Sequence, residues 1–224
     1  MRINKVIIIV AFLSLSLVGR AGEGFRASIY NGTQIKLDIA SPIITPAINQ
    51  WKMQQYEIAA NVQLIQRLFP TIELGYAGGQ THRGDSIAYN GQGGFMRIGC
   101  DLNPLKKYKD SPHALLVGIR FGTAVQGFEH RMPNINAVLK STRADVWGEI
   151  VLGCQVEIAK FHPHREYPDN RAAFYMGWFG RFKILFTRQN EYTPTAKQYA
   201  IYIPGFGPRD NTGWGVNYYL GWKF

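Results

Sequence analysis

Residues 213–224 read GWGVNYYLGWKF. In an extended strand, successive side chains point to opposite faces, so Trp214, Val216, Tyr218, Leu220, Trp222 and Phe224 share one side. Gly215, Asn217, Tyr219, Gly221 and Lys223 share the other. A strand whose apolar side is aromatic at both ends suits a bilayer crossing between two interfacial girdles. This pattern resembles the closing strand of bacterial outer-membrane β-barrels. There the terminal aromatic belongs to the signal read by the assembly machinery, here Tyr218, Leu220, Trp222 and Phe224.

The same alternation recurs upstream. The first strand, Thr33 to Ala40, sets Ile35, Leu37 and Ile39 against Gln34, Lys36 and Asp38. The second opposes Tyr56, Ile58, Ala60, Val62 and Leu64 to Glu57, Ala59, Asn61 and Gln63, and the third opposes Ile72, Leu74 and Tyr76 to Glu73, Gly75 and Ala77. Met96, Ile98, Cys100 and Leu102 face away from Phe95, Arg97, Gly99 and Asp101 in the fourth. In the fifth, Leu115, Val117, Ile119, Phe121 and Val125 lie opposite Gly118, Arg120, Gly122, Ala124 and Gln126. The sixth opposes Val146, Ile150, Leu152, Cys154, Val156 and Ile158 to Asp145, Trp147, Glu149, Gly153, Gln155 and Glu157. The seventh opposes Phe174, Met176, Trp178, Phe182, Ile184 and Phe186 to Tyr175, Gly177, Arg181 and Lys183.

Eight strands without a helical period predict an all-β fold, an eight-stranded antiparallel up-and-down transmembrane β-barrel of outer-membrane type. The long connections, 41–52, 78–91, 127–143 and 188–212, fall at one end. The shorter ones, 65–70, 103–112 and 161–171, fall at the other. That asymmetry between the two sides of the membrane is expected of such barrels.

The other segments fit export. Arg2 and Lys5, then the apolar run Val6 to Val18, then Gly19-Arg20-Ala21 read as a signal peptide over 1–21, followed by a lead-in at 22–32 and a barrel over 33–224. A run of thirteen residues is too short for a membrane helix, which needs about 20. Loss of the three N-terminal cations lowers the net charge from +10 to +7, an excess suited to anionic lipid or lipopolysaccharide phosphates. No nucleic-acid motif is present. A monomer is expected, with no cofactor.

Volume decides which face points outward. An eight-stranded barrel is just filled by its interior side chains, and the Trp, Phe, Tyr, Met and Ile of the apolar face would overfill it. The polar face carries Gly75, Gly99, Gly118, Gly122, Gly153, Gly177, Gly215 and Gly221 beside long charged residues. Lys36, Arg97, Arg120, Arg181, Lys183 and Lys223 give six positive charges there. Asp38, Glu57, Glu73, Asp101, Asp145, Glu149 and Glu157 give seven negative ones. Buried charges require partners, which predicts a salt-bridge network plugging the lumen. A soluble lipocalin-like binder would need the faces reversed. Cys100 and Cys154 lie two strands apart, about 9 to 10 Å, beyond the limit of about 7 Å for a disulfide; two free, lipid-facing thiols are expected.

Other motifs are weak. Arg83-Gly84-Asp85 could serve adhesion, although a solvated Gly turn explains it more simply. His162 and His164 lack a third ligand in view, so no metal site is expected. Lys106, Lys107 and Lys109 read as a solvated turn. No Ser, His or Asp spacing marks an enzyme, although a lipid-modifying site at the barrel rim remains an alternative.

Four segments carry a family resemblance. They are VGIRFG at Val117 to Gly122, WGEIVLGCQVEI at Trp147 to Ile158, YIPGFG at Tyr202 to Gly207, and GVNYYL at Gly215 to Leu220. From about Thr33 onward the chain resembles a family of Bacteroidetes proteins designated only as domain of unknown function 6048. The resemblance implies an exported barrel and assigns no catalytic residues. The Pro-Gly pair of YIPGF is expected to form a rigid loop packing back over the barrel mouth.

Overall fold

The computed structural model describes residues 30–43, 52–64, 67–83, 86–105, 113–132, 137–160, 173–187 and 201–223. Residues 1–21, expected to be a signal peptide, the basic run Lys106 to Lys109, His162, His164, Gly84, Asp85 and Phe224 lie outside the described residues.

Among the described residues ten strands follow in chain order: β1 (Tyr30–Asp38), β2 (Lys52–Leu64), β3 (Leu68–Arg83), β4 (Ser86–Leu102), β5 (Ala114–Met132), β6 (Ala137–Lys160), β7 (Ala173–Leu185), β8 (Tyr202–Ile203), β9 (Gly207–Pro208) and β10 (Thr212–Lys223). Each of the eight long strands pairs antiparallel with its sequence neighbour, and β1 pairs with β10, which closes the barrel. No sheet edge is left open among them, so every central backbone group finds a partner in the ladder. The short pair β8–β9 forms a separate two-stranded hairpin.

The apolar alternation faces outward. Ile58, Leu74, Ile98, Ile119, Ile150, Leu152, Val216 and Leu220 are all exposed, whereas Glu57, Glu73, Arg97, Arg120, Glu149 and Arg181 are buried. This is the reverse of a lipocalin-like arrangement. No helix among the described residues is long and apolar enough to cross a membrane.

Two expected loops are strand. The stretch 78–91 continues β3 and β4 until only residues 84 and 85 separate them, and 127–143 continues β5 and β6 until 133–136. The physical reason lies on the outer face. Lateral rows of paired residues run Tyr56–Tyr76–Gly94–Val125–Ala144, then Gln54–Gly78–Gln92–Gly127–Thr142, then Lys52–Gln80–Asn90–Glu129–Lys140. The outward residues turn polar between the first two rows while the hydrogen-bond ladder runs on unbroken. Polarity therefore marks the end of the apolar belt and not the end of the strand. Smaller differences sit at strand ends: Leu68 to Pro70 belong to β3, Phe186 follows the end of β7, and β1 stops at Asp38, where the Asp38 carboxylate turns the chain at Ala40 and Ser41, and begins at Tyr30. The turn-prone Gly32, with φ of 120°, is absorbed there as an irregularity in the β1–β2 register.

Candidate functional site

The site begins with the small and long residues that alternate on the inner face. A β-carbon at Gly221 would stand 2.2 Å from the Tyr175 ring, and one at Gly122 would stand 2.2 Å from Trp147. These glycines let neighbouring rings lie flat against the wall. The lumen is filled by side chains growing across it.

At its centre Arg97 of β4 and Arg181 of β7 bracket three glutamates from β2, β3 and β6. Arg97 Nη1 lies 2.8 Å from both Glu57 Oε1 and Glu73 Oε2, and its Nε lies 3.0 Å from Glu149 Oε1. Arg181 Nη1 lies 2.9 Å from Glu73 Oε2 and from Glu149 Oε2, and its Nη2 donates to Glu73 Oε1 at 3.0 Å. Arg120 of β5 joins Glu73 Oε1 at 3.1 Å and Asp101 Oδ2 at 2.6 Å. Trp147 Nε1 donates to Glu149 at 2.6 Å. The Tyr219 hydroxyl receives Arg181 Nη2 at 2.7 Å and donates to Glu57. Asn217 accepts from Arg181 Nε at 2.6 Å and donates to Asp38 of β1. All eight barrel strands are thereby laced through one network. Charge-assisted, multiply bonded pairs of this kind are the strong class of hydrogen bond.

The remaining predicted charges lie around this core. Asp38 accepts from the backbone of Ala40 and Ser41 at 3.0 and 3.2 Å and from the Ser41 hydroxyl, closing the turn after β1. Asp145 accepts Arg143 Nε at 2.7 Å. Lys36 is buried with its Nζ 5.0 Å from the Phe179 ring centre and 6.0 Å from that of Tyr175, a cation–π placement. Glu157 and Lys223 sit half-buried at the end where β1 begins and β10 ends, and Lys223 donates to Gln63 at 2.9 Å.

The sequence reading missed Arg143, because it fell in an expected loop. Counting it brings the charges placed on the inner face among the described residues to seven cations against seven carboxylates. Trp147, Asn217, Tyr219 and Ser41 are also working members of the network. Inward phase was the signal available for the first three.

The YIPGF stretch is the second half of the site. Pro204 and Gly205 occupy the central positions of a tight turn in which Phe206 N donates to Ile203 O at 3.1 Å. Gly205 has φ of 76°, as a type II turn requires at that position. This β8–β9 strap does more than cover the mouth, since its tip enters the lumen. Ile203 and Phe206 are buried, Phe206 meets Trp147 edge-on at 5.9 Å, and Phe95 lies against Gly205. Gly205 O accepts Arg97 Nη2 at 2.9 Å and Lys183 Nζ at 2.7 Å, and Phe206 O accepts Lys183 at 2.9 Å. Burial raises the Tyr202 hydroxyl above the ordinary phenol range, so it stays protonated beside Gln55.

Of the other singled-out residues, Arg83 is the last of β3 and pairs with Ser86. Tyr218, Leu220 and Trp222 face outward on β10. Cys100 and Cys154 are free thiols on that same outer face, Cys100 half-buried and Cys154 exposed. His113 and His130 lie on separate parts of β5 and its approach, and no three His, Cys, Asp or Glu among the described residues cluster as metal ligands.

A search among proteins of curated function finds no match. The sequence does match one family over residues 25–223, nearly the whole chain and all eight barrel strands. With its closed barrel and YIPGF strap, the chain belongs to the family described as Domain of unknown function (DUF6048).

Proposed function

We propose that this protein is a small, sealed outer-membrane barrel acting through its membrane-distal wall and strap, in surface binding or envelope integrity, and not as a pore or an enzyme. The carrying observation is the inverted burial: aliphatic side chains outside, a closed ion-pair network within. On β5 the outward side chains from Leu115 to Val125 are apolar at every position but Thr123. Ten residue steps of about 3.4 Å, tilted about 40°, span roughly 26 Å, the height of the apolar band in such barrels. Tyr56 and Tyr76 rim one edge of the band with their hydroxyls on Gln54 and Gln92. Phe174 and Trp222, at 4.6 Å, rim the other. Aromatic residues with a polar handle favour those two levels.

Lipid and lipopolysaccharide are then the surrounding partners, β10 is the segment offered to the assembly machinery, and the barrel acts as a monomer. Fractionation with a heat-modifiability gel tests the placement. Recovery from outer membranes in detergent, with a mobility shift on boiling and no conductance in planar bilayers, is the expected result. Recovery in solution without detergent would sink the reading.

A further inference from the structure

We infer that the outer wall of β4, β5 and β6, just beyond the apolar belt, is a lateral seat for the sugar portion of an outer-leaflet glycolipid. This rests on the membrane placement proposed above. The wall holds a recess of about 480 Å³ lined by Asn90, Gln92, Gly127, Glu129, Lys140 and Thr142. Its floor is Gly127, around which a β-carbon would meet no atom within 4 Å. Gly127 pairs with Gln92 on one side and Thr142 on the other, and the row beyond is Asn90, Glu129 and Lys140.

Charge and hydrogen-bond chemistry select the occupant. Glu129 and Lys140 are paired at 2.6 Å, so the recess is neutral and offers no excess cation to a phosphate. Its amides and hydroxyl each donate and accept, as sugar hydroxyls do. The next row toward the belt is Gly94, Val125 and Ala144. An added β-carbon at Gly94 would meet only one backbone oxygen, at 3.8 Å. Gly94 and Gly127 thus leave the wall low on both sides of the polar boundary, matching a molecule whose acyl chains lie beside the barrel and whose sugars stand above it.

The probe is rough lipopolysaccharide, lipid A carrying core sugars, titrated onto the intact protein in a sugar-free zwitterionic detergent, with phosphatidylethanolamine for comparison. Gly127→Trp fills the recess without touching the ladder and should weaken lipopolysaccharide binding by about tenfold or more, the scale of one or two lost hydrogen bonds. Ile119→Trp, in the middle of the belt, should leave binding unchanged. Unaltered affinity in Gly127→Trp, or equal affinity for phosphatidylethanolamine, overturns the assignment. A protein that stays soluble without detergent overturns the membrane placement instead, so the two failures are distinct.

Discussion

Arg97 and Lys183 share a single acceptor, the Gly205 carbonyl, reached at 2.9 Å from one side and 2.7 Å from the other. A main-chain oxygen of the strap thus supplies the negative pole that Lys183 would otherwise take from a carboxylate. The strap is part of the lumen's electrostatics, and the lumen is what fixes the strap.

Replacing Lys183 with Met removes two of the strap's three bonds to cations while Arg97 still holds the third. Hydrogen bonds to charged groups contribute about 1.5 to 3 kcal/mol each. Lys183→Met should therefore free the strap and leave the barrel closed. Limited proteolysis should find new cleavage near residues 201–208, with the heat-dependent mobility shift retained. Unchanged protection would show that Phe206 packing and the Arg97 bond secure the strap without Lys183.

Arg181 touches Glu73, Glu149, Asn217 and Tyr219 at hydrogen-bond distance. Arg97 and Arg120 still touch these glutamates in Arg181→Met, but one buried negative charge is left uncompensated, a class of change costing about 3 to 5 kcal/mol. Glu157→Gln, half-buried at the rim, should fall within about 0.5 kcal/mol of the parent. Urea unfolding in lipid vesicles separates these outcomes, and equal midpoints would contradict a stability role for the ring.

The barrel was legible because its signal has period two and the charged side chains of the apolar belt all fall in one phase; Ile119 beside Arg120 is enough to set the phase of β5, even though the inner face also carries Leu116 and Val151. Strand length was not. Gln92, Gly127 and Thr142 carry the composition of loops, yet their backbones pair in register. A strand that rises out of an apolar belt looks from sequence like one that has stopped. Arg143 was lost for that reason. The inward phase of Arg97 and Lys183 was readable, but their meeting on a carbonyl from a turn 22 residues beyond Lys183 was not. That contact depends on how deeply the strap reaches into the lumen, which no local pattern encodes.

Gly221 and Tyr175 are register partners, and the ring of one occupies the space a side chain on the other would take. Gly221→Val should overpack the lumen and cost about 1 to 3 kcal/mol. Pairing it with Tyr175→Ala should recover part of that loss. A double-mutant cycle should therefore be non-additive, as residues in contact usually are. Strict additivity would mean that the ring and the glycine do not share that space.

Cys100 and Cys154 lie on the outer face of β4 and β6 with β5 between them, Cys100 pairing with Ile119 and Cys154 with Leu115. In a bilayer both should react with a membrane-permeant maleimide and resist a charged one, while protein in denaturant should react with both reagents. Rapid labelling of Cys154 by the charged reagent in vesicles would place that face in water.

Ile119 gives the sharpest test of the solvent around the barrel. It is 68% exposed and sits near the middle of the outward run from Leu115 to Val125. In water, exchanging an exposed isoleucine for arginine would be close to neutral or even favourable. In hydrocarbon, arginine at the midplane of a barrel wall costs about 2 to 4 kcal/mol. Glu129→Arg, two rows beyond the belt edge, serves as the control because its surroundings are polar in either case, headgroups in a bilayer and water otherwise. Ile119→Arg should lower vesicle-embedded stability by that amount while Glu129→Arg shifts it by less than about 1 kcal/mol. If both variants unfold at the parental midpoint, the aliphatic wall does not face lipid.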